Sequence, residues 1–130
     1  QNPNPNDKID KMQVHYLEIV TPDVDGLCEQ YSKIHGITFG DPVASLGGAR
    51  TASTAATAAG SGGGASLVGI RGPMRETETP VVRPYMLVED IQAAVAMAEK
   101  TGATIAVPPM EIPNYGTCAI VIRGGIECGF

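Results

Sequence analysis

Runs of β-branched and alternating residues divide this chain into two halves with the same plan. Met12 to Val20 (MQVHYLEIV) is rich in β-branched and aromatic residues and stops at Thr21-Pro22-Asp23, which predicts a strand. Leu27, Tyr31 and Ile34 then recur at helical spacing, so Val24 to Ile34 is a helix. Asp23 or Asp25 can cap its start, and Gly36 ends it. Ile37 to Phe39 is a short strand, followed by the turn Gly40-Asp41-Pro42. Arg50 to Thr57 and Leu67 to Ile70 are strands on either side of AAGSGGGAS, Ala58 to Ser66. That segment has neither the Lys-Ser/Thr nor the helix that a phosphate-binding loop requires, and it reads as a hairpin tip. The polar, Pro-bounded stretch Gly72 to Pro80 (GPMRETETP) is a crossover.

The second half begins with a strand, Val81 to Val88, and a helix, Ile91 to Lys100, capped by Glu89-Asp90 and stopped at Thr101-Gly102. Ile91, Val95 and Ala98 share one face of that helix. Strands follow at Thr104 to Val107, Thr117 to Ile122 and Ile126 to Phe130. Pro108-Pro109 and Pro113-Asn114-Tyr115-Gly116 bracket Met110 to Ile112, and Gly124-Gly125 form a turn. The segment Met110 to Tyr115 is a candidate lid. The repeated order predicts an α+β fold of two tandem βαβββ modules. Their sheets would pair into a curved, half-open barrel, with helices on the convex face and a ligand on the concave one. The expected layout is a leader over residues 1–11 and one domain over 12–130. Its first module covers 12–71, the crossover 72–80 and the second module 81–130.

Composition narrows the function. At 130 residues and 43% hydrophobic content, the chain can close one core. A net charge of −5, with no Lys/Arg cluster, argues against nucleic acid. No apolar run approaches the ~20 residues that span a bilayer, so no membrane partner is expected. The three cysteines, Cys28, Cys118 and Cys128, form no C-x-x-C pair. They read as reduced thiols of a cytoplasmic protein rather than as zinc ligands.

The order of these elements resembles the vicinal oxygen chelate superfamily, which includes glyoxalase I, bleomycin-resistance proteins and extradiol dioxygenases. The short glyoxalase-related branch is the most similar. The resemblance rests on Tyr16-Leu17-Glu18-Ile19 before Asp23, on Val88-Glu89-Asp90-Ile91, and on the tail VPPMEIPNYGTCAIVIRGGIECGF. It implies a small-molecule ligand, a homodimer, and four metal-ligand positions on strands facing the cleft. Carried over one at a time, those positions fall on Tyr16, near Gly69, near Arg83 and near Gly129. None supplies a His or carboxylate ligand, so the expectation is no cofactor, with a divalent metal as the alternative. His15 would face the cleft only if the strand slipped by one residue, which would bury Glu18 beneath a helix.

In the favoured register, alternation puts Tyr16, Glu18, Arg83, Tyr85, Leu87 and Glu127 on the concave side, with Arg71 at its rim. Glu18 is the candidate catalytic base, and Tyr16, Arg83, Tyr85, Arg71 and Glu127 are candidate substrate-binding residues. Against this stands a simpler reading, in which Glu18 and Arg83 form an internal ion pair and the tyrosines fill the core. Three functions follow. The first is a metal-independent lyase or isomerase acting on a small metabolite. The second is a non-catalytic protein that sequesters drugs or toxins, as bleomycin-resistance proteins do. The third is a metal-dependent lyase or dioxygenase.

Overall fold

A computed structural model describes residues 12–54 and 66–130. The expected leader, the end of the strand after Thr54 and the Gly-rich tip up to residue 65 lie outside the described residues. Among the described residues, seven strands and two α-helices form an α+β fold with a mixed sheet. The chain divides into two compact units, His15–Pro84 and Tyr85–Phe130 with the N-terminal residues up to Val14.

In the first unit, β1 (Val14–Val20) leads into α1 (Val24–His35), then β2 (Arg50–Thr54), β3 (Ser66–Arg71) and the start of β4 (Val81–Met86). The strand order is β2-β3-β1-β4, with β1 parallel to β3 and β2 antiparallel to it. Asp23 is the N-cap of α1, its Oδ1 accepting from the Gly26 amide at 3.2 Å. Gly36 ends the helix in the left-handed region (φ 68°), where a Cβ would be strained. The expected strand at Ile37 to Phe39 does not form. Those residues pair with no strand, although Phe39 is buried. A 3₁₀ turn, Ala44–Leu46, and a single bridge between Val43 and Ala49 occupy the connection instead.

The core of this unit lies between α1 and the sheet. Ile19, Val68, Ile70 and Ala52 from three strands pack with Cys28 and Phe39, and Leu17, Leu27 and Tyr31 close the edge. Residues 17 and 19 therefore face the helix, and alternation sends Tyr16 and Glu18 to the other side. Arg50 fastens α1 to the segment behind it, donating to Asp25 Oδ1 at 2.9 Å and to the Gly40 carbonyl at 3.0 Å.

The second unit contains α2 (Ile91–Lys100), β5 (Thr104–Ile112), β6 (Gly116–Arg123) and β7 (Ile126–Gly129). Asp90 caps α2, with Oδ1 accepting from the Ala93 amide at 3.0 Å. The strand order continues β4-β7-β6-β5, with β4 parallel to β7 through Tyr85 and Gly129. One expectation fails here. β5 does not stop at Pro108-Pro109 but runs through both prolines to Ile112. Its pairing with β6 shifts register between Ile105 and Val107 and again between Val107 and Met110. Last in the strand order, β5 has one partner, and an edge strand tolerates a residue without an N–H.

The two units repeat one further detail. A methyl group on Gly69 would overlap the Tyr16 hydroxyl, and one on Gly129 would overlap the Tyr85 ring. In each unit a tyrosine near the start lies over a glycine of the parallel neighbour strand. Overpacking of this kind costs about 1–3 kcal/mol, so Gly69→Ala should destabilise the chain by that amount in urea unfolding. The same substitution in a Tyr16→Ala background should cost less than half as much.

Candidate functional site

Glu18 is drawn into a cluster of four charged side chains, all within the first unit. The register pairs it with Gly69 on β3, which offers no side chain to cover it. Glu18 Oε2 accepts from Arg71 Nε at 2.9 Å, and Glu18 Oε1 accepts from Arg83 Nη1. Arg71, the last residue of β3, turns its other nitrogens toward the crossover segment. Its Nη1 and Nη2 donate to the two carboxylate oxygens of Glu78 at 3.0 and 2.8 Å. Nη1 also donates to the Gly72 carbonyl at 3.1 Å. Glu78 Oε1 accepts in addition from the Met74 amide at 2.8 Å.

The side chains of Glu18 and Glu78 are each 12% exposed, and those of Arg71 and Arg83 8% and 10%. Isolated charges at this depth would cost several kcal/mol each. Two carboxylates and two guanidiniums in contact cancel formally, and their hydrogen bonds replace those lost to water. The fork of Arg71 on Glu78 holds the Glu78 carboxyl down to about 2, with help from the Met74 amide, while burial opposes the shift. The same hydrogen bonds hold the Arg71 guanidinium more firmly protonated than usual.

The candidate residues are therefore distributed unevenly. Glu18, Arg71 and Arg83 meet directly, and the internal ion pair between Glu18 and Arg83 is present. Arg71 is not at a rim but is 7% exposed as a residue, at the centre of the cluster. Tyr16 shares the face of Glu18 and lies over Gly69. Tyr85 and Glu127 belong to the second unit, where Tyr85 lies over Gly129 and Glu127 is half-buried on β7 opposite Ile122. His15 has the parity of Leu17 and is exposed. Burial raises the Cys28 and Cys128 thiols above their ordinary range, away from thiolate chemistry.

Sequence reasoning missed Glu78. It lies in a segment with no periodicity, read only as a connection. The available signal was an acidic side chain in a Pro-bounded loop that returns to the strand end carrying Arg71.

Of the four strand positions, Tyr16, Gly69 and Arg83 lie in the first unit and Gly129 in the second. Two are glycines covered by tyrosine rings, and the others are Tyr16 and Arg83. The nearby carboxylate, Glu18, is held by two guanidiniums. Among the described residues, no group of three or more His, Cys, Asp and Glu is placed to hold a metal ion.

The fold is that of a glyoxalase-like α+β protein, and solved structures of that shape identify the enzymes it is similar to. A Streptomyces coelicolor methylmalonyl-CoA epimerase in complex with 2-nitronate-propionyl-CoA is 20% identical with TM-score 0.66, covering 90% of this chain and 94% of that chain. The Mycobacterium tuberculosis methylmalonyl-CoA epimerase is 16% identical with TM-score 0.63, over 89% and 84% of the two chains. A hypothetical protein from Bacillus halodurans is 12% identical with TM-score 0.67, over 92% and 93%. No family model and no curated protein matches the chain. No helix among the described residues is long and apolar enough to cross a membrane.

The depressed titration of Glu78 gives a pH prediction. Its carboxyl titrates lower when folded than when unfolded, so its contribution is full above the ordinary value of 4.5 and is lost as pH falls toward about 2. Urea unfolding across that window should show stability falling with acid. Glu78→Gln should be less stable at neutral pH and show a shallower acid slope. A slope equal to the parent's would mean that the Arg71–Glu78 fork contributes nothing.

Proposed function

We propose that this chain is a metal-independent isomerase of the vicinal oxygen chelate type, acting on a small metabolite that bears a carboxylate or thioester. Glu18 moves the proton and Arg83 holds the anionic group. The observation that carries this reading is the position of Glu18: on the β1 face away from the helix, between two guanidiniums, in a fold shared with methylmalonyl-CoA epimerases. Homodimeric assembly is part of the reading, supported by the resemblance of the sequence alone.

Arg83 pairs with Glu18 Oε1. An incoming carboxylate competes for the same guanidinium and can engage it bidentately. Glu18 Oε1 then gives up that donor, while Arg71 keeps hold of Oε2. The carboxylate can now accept the proton α to the substrate carbonyl and return it to the carbon skeleton. Tyr16, on the same face of β1, supplies a ring and a hydroxyl for substrate contact.

The net charge of −5 favours a second reading, the sequestration of a cationic drug or toxin without turnover. The two separate in one experiment. The chain is treated with EDTA and incubated in D2O with methylmalonyl-CoA and a panel of carboxylated acyl-CoAs, and deuterium incorporation is followed by mass spectrometry. Exchange should persist without metal and fall about 10²–10⁴-fold in Glu18→Gln, with binding little changed. Undiminished exchange in that variant would reject the role of Glu18. No exchange, together with thermal stabilisation by cationic drugs, would replace the isomerase with the sequestering protein.

A further inference from the structure

Arg71 is one of two arginines that donate to Glu18. A guanidinium has five N–H donors. Arg71 commits one to Glu18, two to the oxygens of Glu78 and one to the Gly72 carbonyl. The Glu78 carboxylate is itself anchored by the Met74 amide, four residues away in the crossover. That short segment closes on itself through the Glu78 amide donating to the Arg75 carbonyl at 3.1 Å. It packs against the first unit where Met74 Sδ and the Arg71 side chain crowd Gly47. Arg71 is thus held on three sides, by β3, by the crossover and by Glu18.

We propose that Glu78 is a positioning residue: by clamping Arg71 it fixes the orientation of the Glu18 carboxylate. Arg71 is then a fixed post and not a substrate-binding residue. The proton-transfer role of Glu18 comes from the reading above. The clamp itself does not depend on it.

The direct probe is the Arg71 Nε–H group, which lies between the two carboxylates' influence and donates to Glu18. Its 1H–15N signal should be shifted downfield and slow to exchange with solvent in the parent protein. In Glu78→Gln, whose amide can still accept from Met74, solvent exchange should accelerate by roughly tenfold or more. The backbone spectrum should otherwise be retained. Glu78→Asp keeps the charge but is one methylene short of the fork, and it should lie between the two. In the deuterium-exchange assay, Glu78→Gln should lower kcat with KM within about twofold, the split expected when the reacting group and not ligand binding is disturbed.

An Nε–H signal unchanged in Glu78→Gln would overturn the proposal, as would free solvent exchange of that group in the parent protein. If the Gln variant does not fold, Glu78→Asp and the parent signal still decide. If the parent has no exchange activity on acyl-CoAs, the isomerase reading fails alone, because the Nε–H measurement needs no ligand.

Discussion

Everything at the candidate site depends on holding two carboxylates, Glu18 and Glu78, where little of either side chain is exposed. Arg71 accomplishes this by standing between Glu18 and Glu78, its Nε–H on one carboxylate and its two Nη groups on the other. Removing either partner of a buried pair leaves a charge uncompensated, and that costs about 3–5 kcal/mol. The crossover segment is therefore more than a connection between halves. Its Glu78 balances the second positive charge that Arg71 and Arg83 together bring to Glu18.

The fold was largely legible because its local signals agree with one another. Asp23 and Asp90 read as caps, and both are caps. The alternation Leu17-Glu18-Ile19 read as helix side and opposite side, and the core packing of Leu17 and Ile19 follows it. Expectations failed where tertiary context overrides local preference. Ile37 to Phe39 has strand-like residues but forms no strand, and Phe39 is buried without a ladder. Pro108 and Pro109 looked like a stop, but an edge strand absorbs them with register shifts.

The site was legible only in part, for a related reason. Glu18 and Arg83 could be placed on one face by counting along strands, because strand parity is a local property. Arg71 falls at the end of its strand, where parity gives a face but no depth, and it proved central rather than peripheral. Glu78 has no parity at all. What brings it to Arg71 is the path of residues 72–80, set by the Met74 and Arg75 turn contacts and not by any pattern in GPMRETETP. The repeated Tyr-over-Gly packing was hidden for the opposite reason. Tyr16 and Gly69 were each noted, but only strand pairing across the unit brings the ring over the glycine.

Glu18 and Arg83 are in direct contact, so their contributions to stability are expected to be coupled. A double-mutant cycle with Glu18→Gln, Arg83→Met and both together, read by urea unfolding at neutral pH, measures that coupling directly. The account predicts an interaction of about 1–3 kcal/mol, with the double variant more stable than the sum of the single losses implies. Losses that add to within about 0.3–0.5 kcal/mol would contradict it.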